Sequence, residues 1–189
     1  MDARHGEQVV AAVRRWVDAA VIGLNLCPFA RPVVAGDRVR YRVSHATRPD
    51  ALGVDLVEEL RLLAAADAVT VETTLLIHPW VLSDFLAFND FLAVAEALVE
   101  ELGLRGAVQI ASFHPGYRFA GTRAEDPGNC TNRAPFPILH LLREASVERA
   151  LAAIADPAAI YERNIETMRR LGPEGWERLR AQFTPDFLR

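Results

Sequence analysis

Apolar residues near the start of the chain recur at helical spacing. Val9, Val13, Trp16, Val17, Ala20, Val21 and Leu24 fall at i, i+3 and i+4 intervals over residues 7–24, with Arg14, Arg15 and Asp18 on the other face. Gly23 and Asn25 weaken the end of this helix and Pro28 stops it, so Asn25-Leu26-Cys27-Pro28-Phe29 reads as a helix exit. The period then changes. Arg38 to Val43 alternates polar and apolar, which predicts a half-buried strand, and its three arginines suit a sheet edge. Thr47-Arg48-Pro49-Asp50 has capping-box spacing, with Thr47 as the cap, and opens a helix that buries Leu52, Leu56, Leu60 and Leu63. Val69 to Ile77 is rich in β-branched residues and predicts a second strand, ending at His78-Pro79. A helix from Ser83 to Leu102 buries Phe85, Phe88, Leu92, Ala95 and Leu98, and Gly103 fits the position that closes it. Ala107 to Phe113 predicts a third strand, ending at His114-Pro115.

Periodicity is lost over residues 114–136, and structureless loops longer than about 12–15 residues are uncommon in compact domains and often functional. Pro137 can open the next helix at its first position, and Asp156-Pro157 opens another, which Gly172-Pro173 closes before a short tail helix carrying Trp176. This order predicts an α/β fold in a single domain, 1–189. It has a small, mostly parallel sheet of three or four strands, helices packed on it, and a helical C-terminal part. A fourth strand would come from residues 29–36. A ferredoxin-like α+β arrangement is the alternative.

Composition removes several functions. The formal charge of −4 provides no basic face, so no nucleic-acid partner is expected. All 21 basic residues are arginine, which excludes a Schiff-base lysine and a phosphate-binding P-loop lysine. Neither PLP nor a P-loop nucleotide is expected as cofactor, and no glycine-rich dinucleotide fingerprint appears. Arginine in place of lysine, with abundant alanine, is what a GC-rich bacterial genome produces. Two cysteines in a chain this long, and no secretory leader, suit a cytoplasmic protein. No apolar run approaches the roughly 18 residues of a membrane span.

In a parallel sheet, ligands sit outside the C-terminal ends of the strands. Of five histidines, His45, His78 and His114 each follow a predicted strand. Cys27, at the helix exit, can approach the same end, and His140, in the first turns of the helix after the long loop, can join it. One reading is an enzyme in which Cys27 is a thiolate nucleophile or redox thiol and His114 or His78 the base. Asn25, Asn132, Arg133 and His140 would then contact substrate. Asn132-Arg133, held by Pro135-Phe136-Pro137, could grip a small anionic ligand by bidentate hydrogen bonds. Against this, a helix C-terminus opposes ionisation of Cys27. A second reading is a transition-metal site for zinc, iron or copper, with Cys27, His78 and His114 as ligands and His140 or water as the fourth. A third is a non-catalytic interaction module, with a buried thiol and hydrogen-bonded structural histidines. Glu58-Glu59 and Asn89-Asp90 read as solvated helix faces. Nothing in the sequence sets the oligomeric state.

At Gly23-Leu24-Asn25-Leu26-Cys27-Pro28-Phe29, at Ser112-Phe113-His114-Pro115 and at Thr131-Asn132-Arg133-Ala134-Pro135-Phe136-Pro137, the chain resembles the bacterial family DUF1415, whose function is unknown. The resemblance extends over nearly the whole chain, including Asn164-Ile165-Glu166. It implies a stand-alone cytoplasmic bacterial protein and supplies no activity, substrate or catalytic residue. The family's usual loop has Tyr where Cys130 stands and Ser where Ala134 stands. By that resemblance neither a Cys27–Cys130 disulfide nor a seryl nucleophile at 134 is a family mechanism. His45 stands where an acidic residue is common, which lowers it as a metal ligand.

Overall fold

In a computed structural model, which describes residues 3–152, 154, 156, 157, 159–185 and 187, four strands form one mixed sheet. They are β1 (Val39–Val43), β2 (Thr73–Ile77), β3 (Val108–Phe113) and β4 (Ile138–Arg143), in the spatial order β1-β2-β4-β3. β1 and β2 are parallel, and β4 runs antiparallel to both β2 and β3, so β1, β2 and β3 all point the same way. The fold is α/β, and its helical C-terminal part is present as expected.

β4 corrects two expectations. Residues 29–36 hold no strand but a short helix, α2 (Ala30–Ala35), and the fourth strand comes after Pro137, where a helix was expected. Ile138-Leu139-His140-Leu141-Leu142 sends apolar side chains to both faces and is paired on both sides, so its run carries no period-2 mark. His140 therefore projects from a central strand.

The first helix, α1 (Ala3–Trp16), continues as a π-helical turn, Val17–Ile22. The chain leaves it through Asn25, whose φ of 55° is left-handed. α3 (Pro49–Ala65) starts with Pro49 in its first turn and Arg48 as its cap, which makes no side-chain cap hydrogen bond. Thr47 is not the cap. α4 (Phe85–Glu101) is capped by Asp84, whose carboxylate accepts from the Ala87 N–H at 2.9 Å. Gly103 (φ 67°) closes α4: its N–H reaches the Glu100 carbonyl at 2.9 Å and that of Leu104 reaches Val99 at 3.0 Å, a Schellman motif. β2 is shorter than its apolar run because Asp67 turns the chain before it. Its side chain accepts from Val69 N–H at 2.8 Å and its carbonyl from the Thr70 hydroxyl at 2.8 Å.

The two faces of the sheet carry separate cores. On the back, Leu76, Leu139 and Leu141 pack under Leu52, Leu56, Leu60 and Leu63 of α3 and Phe88, Phe91 and Ala95 of α4. On the front, Leu75, Ile77 and Ile138 pack with Val9, Val13 and Trp16 of α1. Met168 and Trp176 of the last helix, α6 (Ala159–Ala181), complete that core. α6 breaks at Gly172 (φ 66°), so the tail segment with Trp176 packs as a separate piece, as Gly172-Pro173 predicts. α5 (Glu144–Ala152) follows β4 directly. Among the described residues, no helix is long and apolar enough to cross a membrane.

Candidate functional site

His78 and His114 sit at strand ends as expected, yet both are packed away and tied to backbone carbonyls. Side chains alternate between sheet faces, and each of these two lies on the back, against Phe88 of α4. Ring centroids are 5.6 Å apart for His78–Phe88 and 5.1 Å for His114–Phe88. His78 Nδ1 donates to the Val81 carbonyl at 3.1 Å. His114 Nε2 donates to the Leu82 carbonyl at 3.2 Å while its Nδ1 accepts from the Gly116 N–H at 3.0 Å. Between those carbonyls the chain turns through Leu82 at φ 57°, a left-handed conformation that costs a leucine about 1–2 kcal/mol. The histidines act as clasps on that turn. Burial pushes the His78 pKa down to about 4, and burial likewise lowers His114, so both rings stay neutral. His78 Nε2 is buried without a hydrogen-bond partner.

Cys27 is on the other side of the sheet. Its thiol lines a cavity of about 680 Å³ on the front face, with Trp16 and Phe113 above and Val39, Tyr41, Leu75 and Ala111 along the floor. The expected convergence of Cys27, His78 and His114 does not occur. One front-face donor and two back-face donors are separated by the sheet, and among the described residues no group of three His, Cys, Asp or Glu could hold a metal ion. The catalytic and metal arrangements built on that trio fall together, because strand-end position is one-dimensional and face is set by residue parity. Cys27 and Cys130 are both free thiols. Desolvation raises the Cys27 pKa, opposed by hydrogen bonds from the backbone N–H groups of Phe29 and Ala30. The thiol thus faces the start of α2 as well as the helix it leaves, and burial still keeps it protonated.

The histidine that does share this cavity is His140. It lies in the cross-strand row Tyr41–Leu75–His140–Ala111, flanked by the row Val39–Thr73–Leu142–Gln109. The Thr73 hydroxyl donates to the Leu141 carbonyl at 2.6 Å, so its oxygen accepts from His140 Nε2–H at 2.8 Å. That relay leaves the lone pair on Nδ1, which makes no hydrogen bond among the described residues. Desolvation holds the His140 pKa at about 4, so the ring is a neutral acceptor at ordinary pH.

Toward the starts of β1 and β2, the cavity lining changes character. Arg38, Glu72, Arg143 and Arg149 gather there. Arg38 pairs with Glu72 at 2.7 Å and Arg149 approaches the other carboxylate oxygen at 3.9 Å. Arg143 is committed to backbone, donating to the carbonyls of Leu63 at 2.7 Å and Ala66 at 2.6 Å. One buried carboxylate thus stands between two guanidinium groups, those of Arg38 and Arg149.

The remaining predicted contacts have structural partners. Arg133 donates to the Ala124 carbonyl at 2.7 Å and the Tyr117 carbonyl at 3.3 Å, and Asn132 Nδ2 to the Ser112 carbonyl at 3.3 Å. They staple the long connection to its base instead of facing the cavity. Buried Asn129 does the same from within, accepting from the Phe119 N–H and the Thr122 hydroxyl, each at 2.9 Å. Asn25 is exposed beside α6, where Asn164 Nδ2 donates to the Leu26 carbonyl at 2.8 Å. His45 stacks on Trp80 at 5.2 Å. Glu59, expected in solvent, is 4% exposed and pairs with Arg40 at 2.6 Å on the back of edge strand β1. Its spacing on the Leu52–Leu56–Leu60–Leu63 stripe carries that signal.

A family model described as "Protein of unknown function (DUF1415)" matches residues 8–178. No curated protein and no solved structure matches the chain.

Proposed function

The chain belongs to the DUF1415 family, and from that premise we propose that it binds a small amphipathic carboxylate in the front-face cavity, with the apolar body on the sheet and the acid at the arginine rim. One observation carries the reading: a space of about 680 Å³, floored by Val39, Tyr41 and Leu75, ends at a carboxylate outnumbered by guanidinium groups. That volume lies within the roughly 300–1,000 Å³ of small-molecule sites, which are mainly apolar with a few polar groups fixing orientation. Arg38 and Arg149 pair with Glu72 through part of their donors only, so an incoming carboxylate can take the others. The anionic ligand expected at Asn132-Arg133 is thereby assigned to Arg38 and Arg149. Two free thiols and an all-arginine basic complement support a bacterial cytoplasmic setting.

Calorimetric titration with 3-phenylpropionate tests the reading. Saturable binding that weakens at least about threefold when sodium chloride is raised from 0.05 to 0.5 M is expected, since salt screens rim charges. No heat and no change in Trp16 fluorescence at millimolar ligand would overturn it.

A second reading, a thiol enzyme, is favoured by one observation: Cys27 and His140 line the same cavity. Alkylation by iodoacetamide at pH 7 separates the two. Burial holds the thiol protonated, so Cys27 is expected to react more slowly than free cysteine; faster reaction would put the enzyme first.

A further inference from the structure

The fold dictates the hydrogen-bonding state of His140 in the cavity. Three links fix it in sequence. The Leu141 carbonyl accepts the Thr73 hydroxyl proton at 2.6 Å, which turns the Thr73 oxygen lone pair toward His140. His140 Nε2–H donates to that oxygen at 2.8 Å, so the proton of a neutral ring sits on Nε2 and Nδ1 is an acceptor. A tautomer held by a hydroxyl that is itself held by backbone cannot flip to suit a ligand. The rest of its row is Tyr41, Leu75 and Ala111, and the next row adds Val39, Thr73, Leu142 and Gln109, so the floor is mainly apolar with His140 Nδ1 as a fixed acceptor. A ligand that buries Nδ1 without donating to it forfeits the hydrogen bond that water can make there.

We propose that His140 Nδ1 is a specificity element for a hydrogen-bond donor on the body of the ligand, so that the carboxylate bound here carries a hydroxyl at a distance from its acid group. This rests on the pocket reading above. Register sets the span. His140 lies in the row of Tyr41, three residues along β1 from Arg38 and two strands across, roughly 14 Å between backbones, of which the long Arg38 side chain spans part and leaves the length of a phenyl ring with a short chain. Hydroxyaryl alkanoates have that reach from carboxylate to hydroxyl. The step is recognition only; no bond is made or broken.

The experiment compares two probes differing by one oxygen, 3-(4-hydroxyphenyl)propionate and 3-phenylpropionate, titrated into the full chain at pH 7.5. The hydroxylated acid is expected to bind about tenfold more tightly, the scale of one well-placed hydrogen bond. His140→Phe is expected to abolish that preference and retain 3-phenylpropionate, and Thr73→Val to narrow it. Nitrogen-15 NMR reads the ring without relying on a variant: an unprotonated Nδ1 signal that moves on addition of the hydroxylated acid and not of its partner supports the proposal. Equal affinity for the two probes, in the wild type, overturns it and leaves the pocket reading standing. Binding of neither probe overturns both. A dimer in sedimentation that excludes both probes does the same, because a second copy would then occupy this face.

Discussion

The back of the sheet is closed and its front is open, although the same four strands supply both. On the back, α3 and α4 bring Leu52, Leu56, Leu60, Leu63 and Phe88 over Leu76, Leu139 and Leu141, all of them buried, and even the two histidines there are consumed by packing and by the turn they hold. On the front, α1 and α6 cover the row Ile77–Ile138–Phe113 and stop. The rows of Leu75 and Thr73 continue beyond them into the cavity, with α2 and α5 as side walls. Two long helices can blanket one face of a four-stranded sheet; a helix of six residues and one of nine leave room. The π-helical turn adds to this, since Val17 and Val21 point into the space where α1 loses regular pitch. On the closed face both histidines hold the Leu82 turn, whereas on the open face His140 bonds only to Thr73 through Nε2.

Unequal stabilisation of the two faces is the first way to break this contrast. Phe88→Ala on the back should cost about 3–5 kcal/mol, and Val39→Ala on the cavity floor less than about 1 kcal/mol, in urea unfolding. Similar losses would mean that the front is as tightly packed as the back. Next comes the histidine clasp. His114→Ala removes two hydrogen bonds and leaves a void under the Leu82 turn, for an expected loss of about 2–4 kcal/mol.

The buried histidines of the two faces also carry a pH signature. His78 and His140 titrate near 4 in the fold against an ordinary 6.5, so the unfolded chain takes up protons first as pH falls. The stability they contribute is complete above pH 6.5 and is lost from there down toward pH 4. His78→Phe should flatten the fall of stability between pH 6.5 and 4; an unchanged slope would show that the ring titrates normally. A smaller effect belongs to Glu59→Gln, which should cost about 1–2 kcal/mol, because its arginine partners retain access to water. Smallest of all, Arg149→Gln should shift stability by no more than about 0.5 kcal/mol yet weaken 3-phenylpropionate measurably, and a variant that binds it as well as the wild type would remove Arg149 from the rim.

Much of this was legible in the pattern of the chain. The leucine stripe of α3, the phenylalanine face of α4, the alternation of β1 and the glycine that ends α4 are local signals, each written over a few consecutive residues. β4 was not legible, because a central strand with apolar side chains on both faces loses its alternation and resembles a helix start after proline. Nor was the site. His78 and His114 do stand at strand ends, but their pairing with Cys27 required knowledge of which face each occupies. His140 became a cavity residue only once 138–143 was a strand.

What the sequence determined by itself is the set of local preferences: the amphipathic stripes of α1, α3 and α4, the alternation of β1, the α/β class, and the chemistry that a lysine-free chain cannot perform. Tertiary structure alone decided the insertion of β4 antiparallel between β2 and β3, the burial of Glu59 against Arg40 and Arg42, and the company of Cys27 and His140. The physical reason is distance along the chain. Periodicity reports contacts a few residues apart, while the contacts that make the cavity join residues 27, 41, 75 and 140, which meet only through strand register and the face each side chain takes.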